Sequence, residues 1–424
     1  MWTPRPRGWL PALVLLLPLL LPLTACSDDR PPPTSSGTGY ADVAALMQKT
    51  LDRRAKGLRT HDVRRFRRSL DRSDAGLVAE QLAYFDNVTQ LPLGELRYEV
   101  AADTITPVEG SEDYWVEVVL VLALDGYDAV AARTRDRFLF TPSPDGQRLV
   151  VTSTTDYSWE KDHPGNVQPW DLGPVRVEQA AGVLGIFDDT TVRHAAAVLD
   201  AAGTGRSDVR SVLGAGDDAG VSGVVVYSLR DPAFLRGLAG RTVGDPDRAD
   251  GLTIAVPADA TDASRGVASY RIFLNPRVLD QQAGVLGRLV RHELTHATLG
   301  PRGRGAPLWL NEGLAEYVSV QSMAPARRRL PARALQVGAS ATDLPGEAQF
   351  AGADAEAWYA VSWWVCEYVA GVYGTPMLLV LLDRLADGAD QERVLPDVLG
   401  VTPAQLAQRG VGLMQRTYSG QEGS

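Results

Sequence analysis

Cysteine is nearly absent from this chain: its 424 residues include two, Cys26 and Cys366. So few cysteines exclude a disulfide-stapled scaffold, and the fold must stand on apolar cores. Histidine is scarce too, with five. A basic excess is lacking: 42 Lys and Arg stand against 52 Asp and Glu, for a formal net charge of −10. That balance excludes a globally basic nucleic-acid binder. What is present is a hydrophobic fraction of 45% and a charged fraction of 22%, as in soluble globular proteins. The length calls for two domains rather than one.

The segment "MWTPRPRGWLPALVLLLPLLLPLTAC" carries Arg5 and Arg7, then an apolar run, then small residues before Cys26. This is the layout of a secretory signal over residues 1–25. Pro11, Pro18 and Pro22 break the apolar run, which argues against a permanent membrane span. Leu23-Thr24-Ala25-Cys26 resembles a bacterial lipobox. The resemblance implies cleavage before Cys26, acylation of that residue, and anchorage to the outer face of the cell membrane. The alternative is a plain cleaved signal. Residues 26–39, Pro-, Gly- and Ser-rich after the cysteine, read as a flexible tether. Cys366, in the apolar helical run "SWWVCEYVAGVYG", then has no partner and reads as a small buried residue.

Residues 40–165 form the first expected domain. Val43, Leu46, Met47 and Leu51 recur at helical spacing, and Leu77, Leu82 and Phe85 mark a second helical pattern. The runs "GELRYEVAAD", "DYWVEVVLVLAL", "ARTRDRFLFTPS" and "QRLVVTSTTD" then read as four strands. Helices followed by antiparallel strands predict an α+β domain with helices on one sheet face. The order resembles the cone-shaped domains of the nuclear-transport-factor-2-like superfamily, in topology and not in any motif. Such domains bind ligands, dimerise or act as spacers, so the fold assigns no role. The arginine-rich stretch from Arg64 to Arg72 admits contact with anionic lipid or wall polymer. A solvated helix face is the favoured reading, because Asp62, Asp71 and Asp74 are interspersed. "KDHPGNVQPWDLGPV" (161–175) is placed as the domain boundary, with His163 a loop residue.

The second domain, 171–424, contains "LDQQAGVLGRLVRHELTHATLG". Val285, Leu286, Leu289, Val290 and Leu294 give this helix an apolar side, and Gly300 and Pro301 end it. Residues four apart share a helix face, so His292 and His296 can aim two imidazoles at one point. Glu293, rotated about 100° from His292, lies beside that point. This is the mechanical content of H-E-x-x-H: two metal ligands and a general base. A hydrolytic zinc site needs a third protein ligand and an open position. In "LWLNEGLAEYVSV", Glu312 on a returning helix can supply it, and Glu316 can accept the free ring N–H of a ligand histidine. The bland alternative is two exposed acids on a helix.

These residues, "HELTH" and "LWLNEGLAEY", resemble a gluzincin metallopeptidase of the peptidase MA-like group. The resemblance implies Zn2+ held by His292, His296 and Glu312, with Glu293 as base and Glu316 supporting a histidine. It also implies a zincin-like domain with a mixed upper lobe and a helical lower lobe. Fifteen residues separate His296 from Glu312, fewer than in thermolysin-type enzymes, so the glycines at 300, 303 and 305 must make a tight turn. The Gly-rich motif of aminopeptidases is not recognisable. Relatives use a tyrosine from the C-terminal helices to stabilise the intermediate. Tyr359 is the candidate, with Tyr368 and Tyr373 as rivals and a core tyrosine the alternative. Zincins also bind substrate backbone on a cleft-edge strand. Tyr270, Arg271, Ile272, Phe273 and Leu274 of "SYRIFLNP" are the candidates, an interior strand being the alternative. The expectation is an exported zinc peptidase acting on a peptide or protein, with no nucleic-acid partner. Two rivals stand beside it: a surface binding lipoprotein with a structural or degenerate zinc site, and an interaction lipoprotein in which the first domain acts. Oligomeric state and substrate identity are open.

Overall fold

The helical spacing that begins at Val43 becomes α1 (Gly39–Arg59), followed by α2 (Val63–Arg67) and α3 (Ala75–Val88). The computed structural model describes residues 39–163, 167–180, 182–214, 223–236 and 249–419. The expected signal and Cys26 lie outside the described residues. Asp62 and Asp74 begin α2 and α3, accepting hydrogen bonds from the backbone N–H groups of Arg65 and of Gly76 and Leu77. Two of the acids interspersed among the arginines are therefore helix caps.

The four strand-like runs become β1 (Leu93–Val100), β3 (Tyr114–Leu124), β4 (Ala132–Pro142) and β5 (Leu149–Ser153), with the short β2 (Thr106–Pro107) on the end of β3. All pair antiparallel, in the order β1-β3-β4-β5. α4 (Tyr157–Asp162) follows, and His163 ends it, its ring stacked on Trp159.

A second sheet is built from β6 (Arg176–Ala180), β7 (Val183–Phe187), β8 (Val224–Ser228), β9 (Gly251–Pro257) and β10 (Val267–Leu274). Its order is β6-β7-β8-β10-β9. β7, β8 and β10 run parallel, and β6 and β9 are antiparallel at the two edges. α5 (Ala195–Leu213) connects β7 to β8, and α6 (Ala233–Arg236) follows β8. The remaining helices are α7 (Ala283–Leu299), α8 (Leu308–Gln321), α9 (Ala334–Ser340), α10 (Glu347–Phe350), α11 (Ala355–Tyr373), α12 (Pro376–Leu385), α13 (Gln391–Leu399) and α14 (Pro403–Ser419). The fold is thus α+β. No single described helix is long and apolar enough to cross a membrane.

The second sheet is a middle layer. Successive side chains on a strand point to opposite faces. Val183, Phe187, Val224, Val226, Ile272 and Leu274 face a core shared with α5, α7, α8 and α11. Leu184, Ile186, Val225, Tyr227, Leu252, Ile254 and Phe273 face the other way, into a core shared with the first sheet and α1 to α3. β7 and β8 are buried along their whole length, as parallel strands covered on both faces require. Each such side chain contributes about 1.5–3 kcal/mol by leaving water. One buried ion pair crosses between the sheets: Arg271 reaches Asp128 at 2.9 Å and also donates to the Tyr227 hydroxyl.

Candidate metal centre

α7 carries His292, Glu293 and His296. Leu286, Val290 and Leu294 bury its inner face, while Val285, in its first turn, faces solvent. Gly300 ends the helix at φ +51° and Gly305 turns the chain at φ +73°, conformations that favour glycine. α8 then returns antiparallel, as the contacts show. Glu316 meets Arg288 and His292, Glu312 meets His292 and His296, and the Ser319 carbonyl meets Arg291. Partners descend along one helix as they ascend the other.

Three donor atoms converge. His292 Nε2 and His296 Nε2 are 3.2 Å apart, and Glu312 Oε2 lies 3.3 Å from the first and 3.4 Å from the second. A tetrahedral ion with metal–ligand bonds of about 2.0–2.1 Å has ligand–ligand edges of about 3.3–3.4 Å. The triangle therefore has the size of one face of such a tetrahedron. His292, His296 and Glu312 form a group that could hold a metal ion, and Glu312 is 4% exposed, which excludes its reading as a surface acid.

The supporting shell is equally specific. Glu316 Oε1 lies 3.3 Å from His292 Nδ1, while its other oxygen accepts from Arg288, whose guanidinium sits over the Trp363 ring. Burial opposes the charge on Glu316, but the hydrogen bond with His292 and the Arg288 cation hold it at about 2. Burial likewise opposes charge on Glu312, and His296 and His292 keep it well below the usual carboxylate range. Burial would lower His292; its bonds to Glu312 and Glu316 raise it instead.

Glu293 is buried and belongs to no ligand pair. Its Oε2 accepts from the Thr253 hydroxyl at 2.8 Å, and burial pushes its carboxyl above the usual range, against the pull of both histidines. A Cβ added at Gly251 would fall 2.9 Å from Glu293 Oε1. β9 thus runs against the acid at two residues the motif does not contain. Arg288 was also missed, although it lies one turn before His292.

Tyr359 on α11 reaches the centre, its ring centroid 6.3 Å from that of His292. Burial and then the carboxylates of Glu312, Glu316 and Glu293 push its hydroxyl well above the usual tyrosine value. Tyr368 and Tyr373 are engaged elsewhere, with Arg409 and with the Leu399 carbonyl. Cys366 is fully buried, and burial raises its thiol far above the usual value, so it is no nucleophile.

The expected substrate strand requires correction. Tyr270, Arg271, Ile272, Phe273 and Leu274 lie on β10, which pairs with β8 on one side and β9 on the other. A strand hydrogen-bonded on both sides has no free backbone groups for a peptide. Arg271 is committed to Asp128, and Tyr270 packs against Gly300. The edge next to Glu293 belongs to β9.

No family model matches the chain, and no curated protein matches it.

Proposed function

We propose that the protein is a zinc-dependent hydrolase of peptide bonds. The observation that supports it is the donor triangle of His292, His296 and Glu312, with the separately buried Glu293 carboxylate beside it. Two imidazoles and one carboxylate suit zinc, and three protein ligands leave a fourth position open. When bound, zinc supplies Lewis acidity: it brings the pKa of water to about 7 and polarises a carbonyl.

The chain's own residues do the rest. Glu293 takes a proton from the attacking water and returns it to the leaving amine, and its raised pKa matches a group that must both accept and donate. Thr253 holds the carboxylate in place. Glu316 fixes the ring of His292, so that Nε2 stays turned toward Glu312. The hydroxyl of Tyr359, kept protonated, donates a hydrogen bond to developing negative charge on the carbonyl oxygen. The edge of β9, unpaired among the described residues, takes substrate backbone by strand addition. The same reading carries the lipobox resemblance: an exported enzyme held at the outer membrane face by acylated Cys26.

The test is a pair of measurements on one variant. Wild-type protein is expected to bind one equivalent of zinc and to cleave members of a mixed peptide library. Glu293→Gln is expected to keep the zinc and lose hydrolysis by at least about a hundredfold. Zinc far below one equivalent in the wild type overturns the reading. Unimpaired hydrolysis by Glu293→Gln overturns the role of Glu293.

A further inference from the structure

Among the described residues, β9 keeps one edge unpaired over its seven residues, Gly251–Pro257. Just beyond Pro257 that freedom ends. The Arg133 N–H of β4 donates to the Ala258 carbonyl at 3.0 Å, and the Arg133 carbonyl accepts from Ala260 N–H at 3.2 Å. The Arg133 guanidinium lies 3.4 Å from Asp259. β4 thus occupies the place where an added strand would continue. The groove along β9 starts beside Glu293, where Gly251 and Thr253 touch that side chain, and stops at the first sheet.

A pocket lies where β4 leaves β9. Ile254, Ala255, Val256 and Pro257 line it, with Pro169 and Phe234 on other segments. Tyr227 of β8 and Arg271 of β10 line it too, so it lies on the face turned to the first sheet, opposite Thr253 and Glu293, with β9 along its rim; alternate side chains of an added strand point to that face. The lining is mostly apolar. Its charged member, Arg271, is already paired with Asp128, so an occupant need bring no charge.

We infer that this pocket receives an apolar side chain of a peptide laid along β9. Counting from Thr253 along Ile254–Pro257 at about 3.3 Å per residue places that side chain about one to four residues from the bond at the metal centre. β4 marks the end of the bound segment on that side. The inference rests on the peptidase reading and narrows it: the substrate is an extended peptide with an aliphatic or aromatic residue at one fixed distance from the cut.

The experiment uses zinc-loaded full-length protein carrying Glu293→Gln, so that peptides bind without being consumed. Labelled ten-residue peptides of Ala and Ser, with a single Leu walked through every position, are measured by fluorescence polarisation. The same peptides are digested with the wild-type enzyme to locate the cut. One Leu position is expected to tighten binding roughly ten- to a hundredfold, as burial of one such side chain gives. That position is expected about one to four residues from the bond that is cut. Ala260→Phe, which fills the pocket, is expected to abolish the preference. Val256→Ala, which enlarges it, is expected to move the preference from Leu to Trp. The gain for Trp separates an enlarged pocket from a damaged fold. Cleavage with no Leu preference, or a preference untouched in both variants, overturns the pocket and leaves the peptidase standing. Position-dependent binding with no peptide cut upholds the pocket and overturns the peptidase.

Discussion

Glu293 is held by two residues that no motif contains. Thr253 donates to it, and Gly251 leaves just enough room for it. Gly251→Ala places a methyl 2.9 Å from Oε1 and 3.0 Å from Cγ, so the side chain must move. Neither histidine nor Glu312 need follow. The expected result is unchanged zinc content with hydrolysis reduced about ten- to a hundredfold, read by metal analysis and steady-state kinetics on one sample. The candidate ligands were legible in the sequence, because positions four apart on a helix share a face and both pairs, His292 with His296 and Glu312 with Glu316, lie on helices. Thr253 and Gly251 were not. They lie some forty residues upstream and arrive by strand-against-helix packing, which no local spacing encodes.

Between elements, the closest approach at the site is α8 against α11. A Cβ on Gly313 would fall 2.5 Å from the Ser362 carbonyl oxygen and 2.9 Å from Cys366 Sγ. Gly313 stands next to Glu312, and Ser362 lies three residues after Tyr359. Gly313→Ala therefore forces apart the helices that carry Glu312 and Tyr359. The expected cost is about 1–3 kcal/mol of stability, seen by denaturant titration, with weaker zinc binding in a chelator competition. At this scale the strand order was the hidden part. β9 and β10 are neighbouring strands, and which one is the edge depends on the parallel pairing of β10 with β8. One signal was available: Pro257 closes β9, and proline lacks the N–H that an interior strand needs. β9 is also half-exposed, whereas most of β10 is buried.

Across the whole molecule, the segment placed as a boundary is stitched down. Asn87 of α3 donates to the carbonyls of Trp170 and Gly173 and accepts from Val175 N–H, and Trp170 and Val175 are each 1% exposed. Composition identified the segment as polar and Pro/Gly-rich but could not show these bonds, which join residues more than eighty positions apart. Residues 40–424 form one compact unit. A chain starting at residue 171 would uncover one whole face of the second sheet and leave Arg271 without Asp128. It is expected to lack cooperative unfolding by calorimetry, while the intact chain melts in a single transition. Stability also carries a pH dependence from the first sheet. Burial pushes the Asp136 carboxyl up to about 8. The unfolded chain ionises this group near pH 4, while the folded one keeps it protonated, so stability falls as pH rises from about 4 to about 8. Asp136→Asn is expected to raise the melting temperature at pH 8 and to leave it nearly unchanged at pH 4.

The core between the two sheets also bears on inheritance. Leu184, Ile186, Val225 and Phe273 of the second sheet belong to one apolar core with Val116, Val118, Leu122 and Phe140 of the first, and both sets are apolar where a free-standing domain would present polar residues. Neither half could be exchanged for a counterpart from another lineage without rewriting the surface that receives it. The two halves are therefore bound to vary together. A substitution on the first sheet that changes the volume of this core acts on the sheet that carries Thr253 and Gly251, although it lies far along the chain from His292.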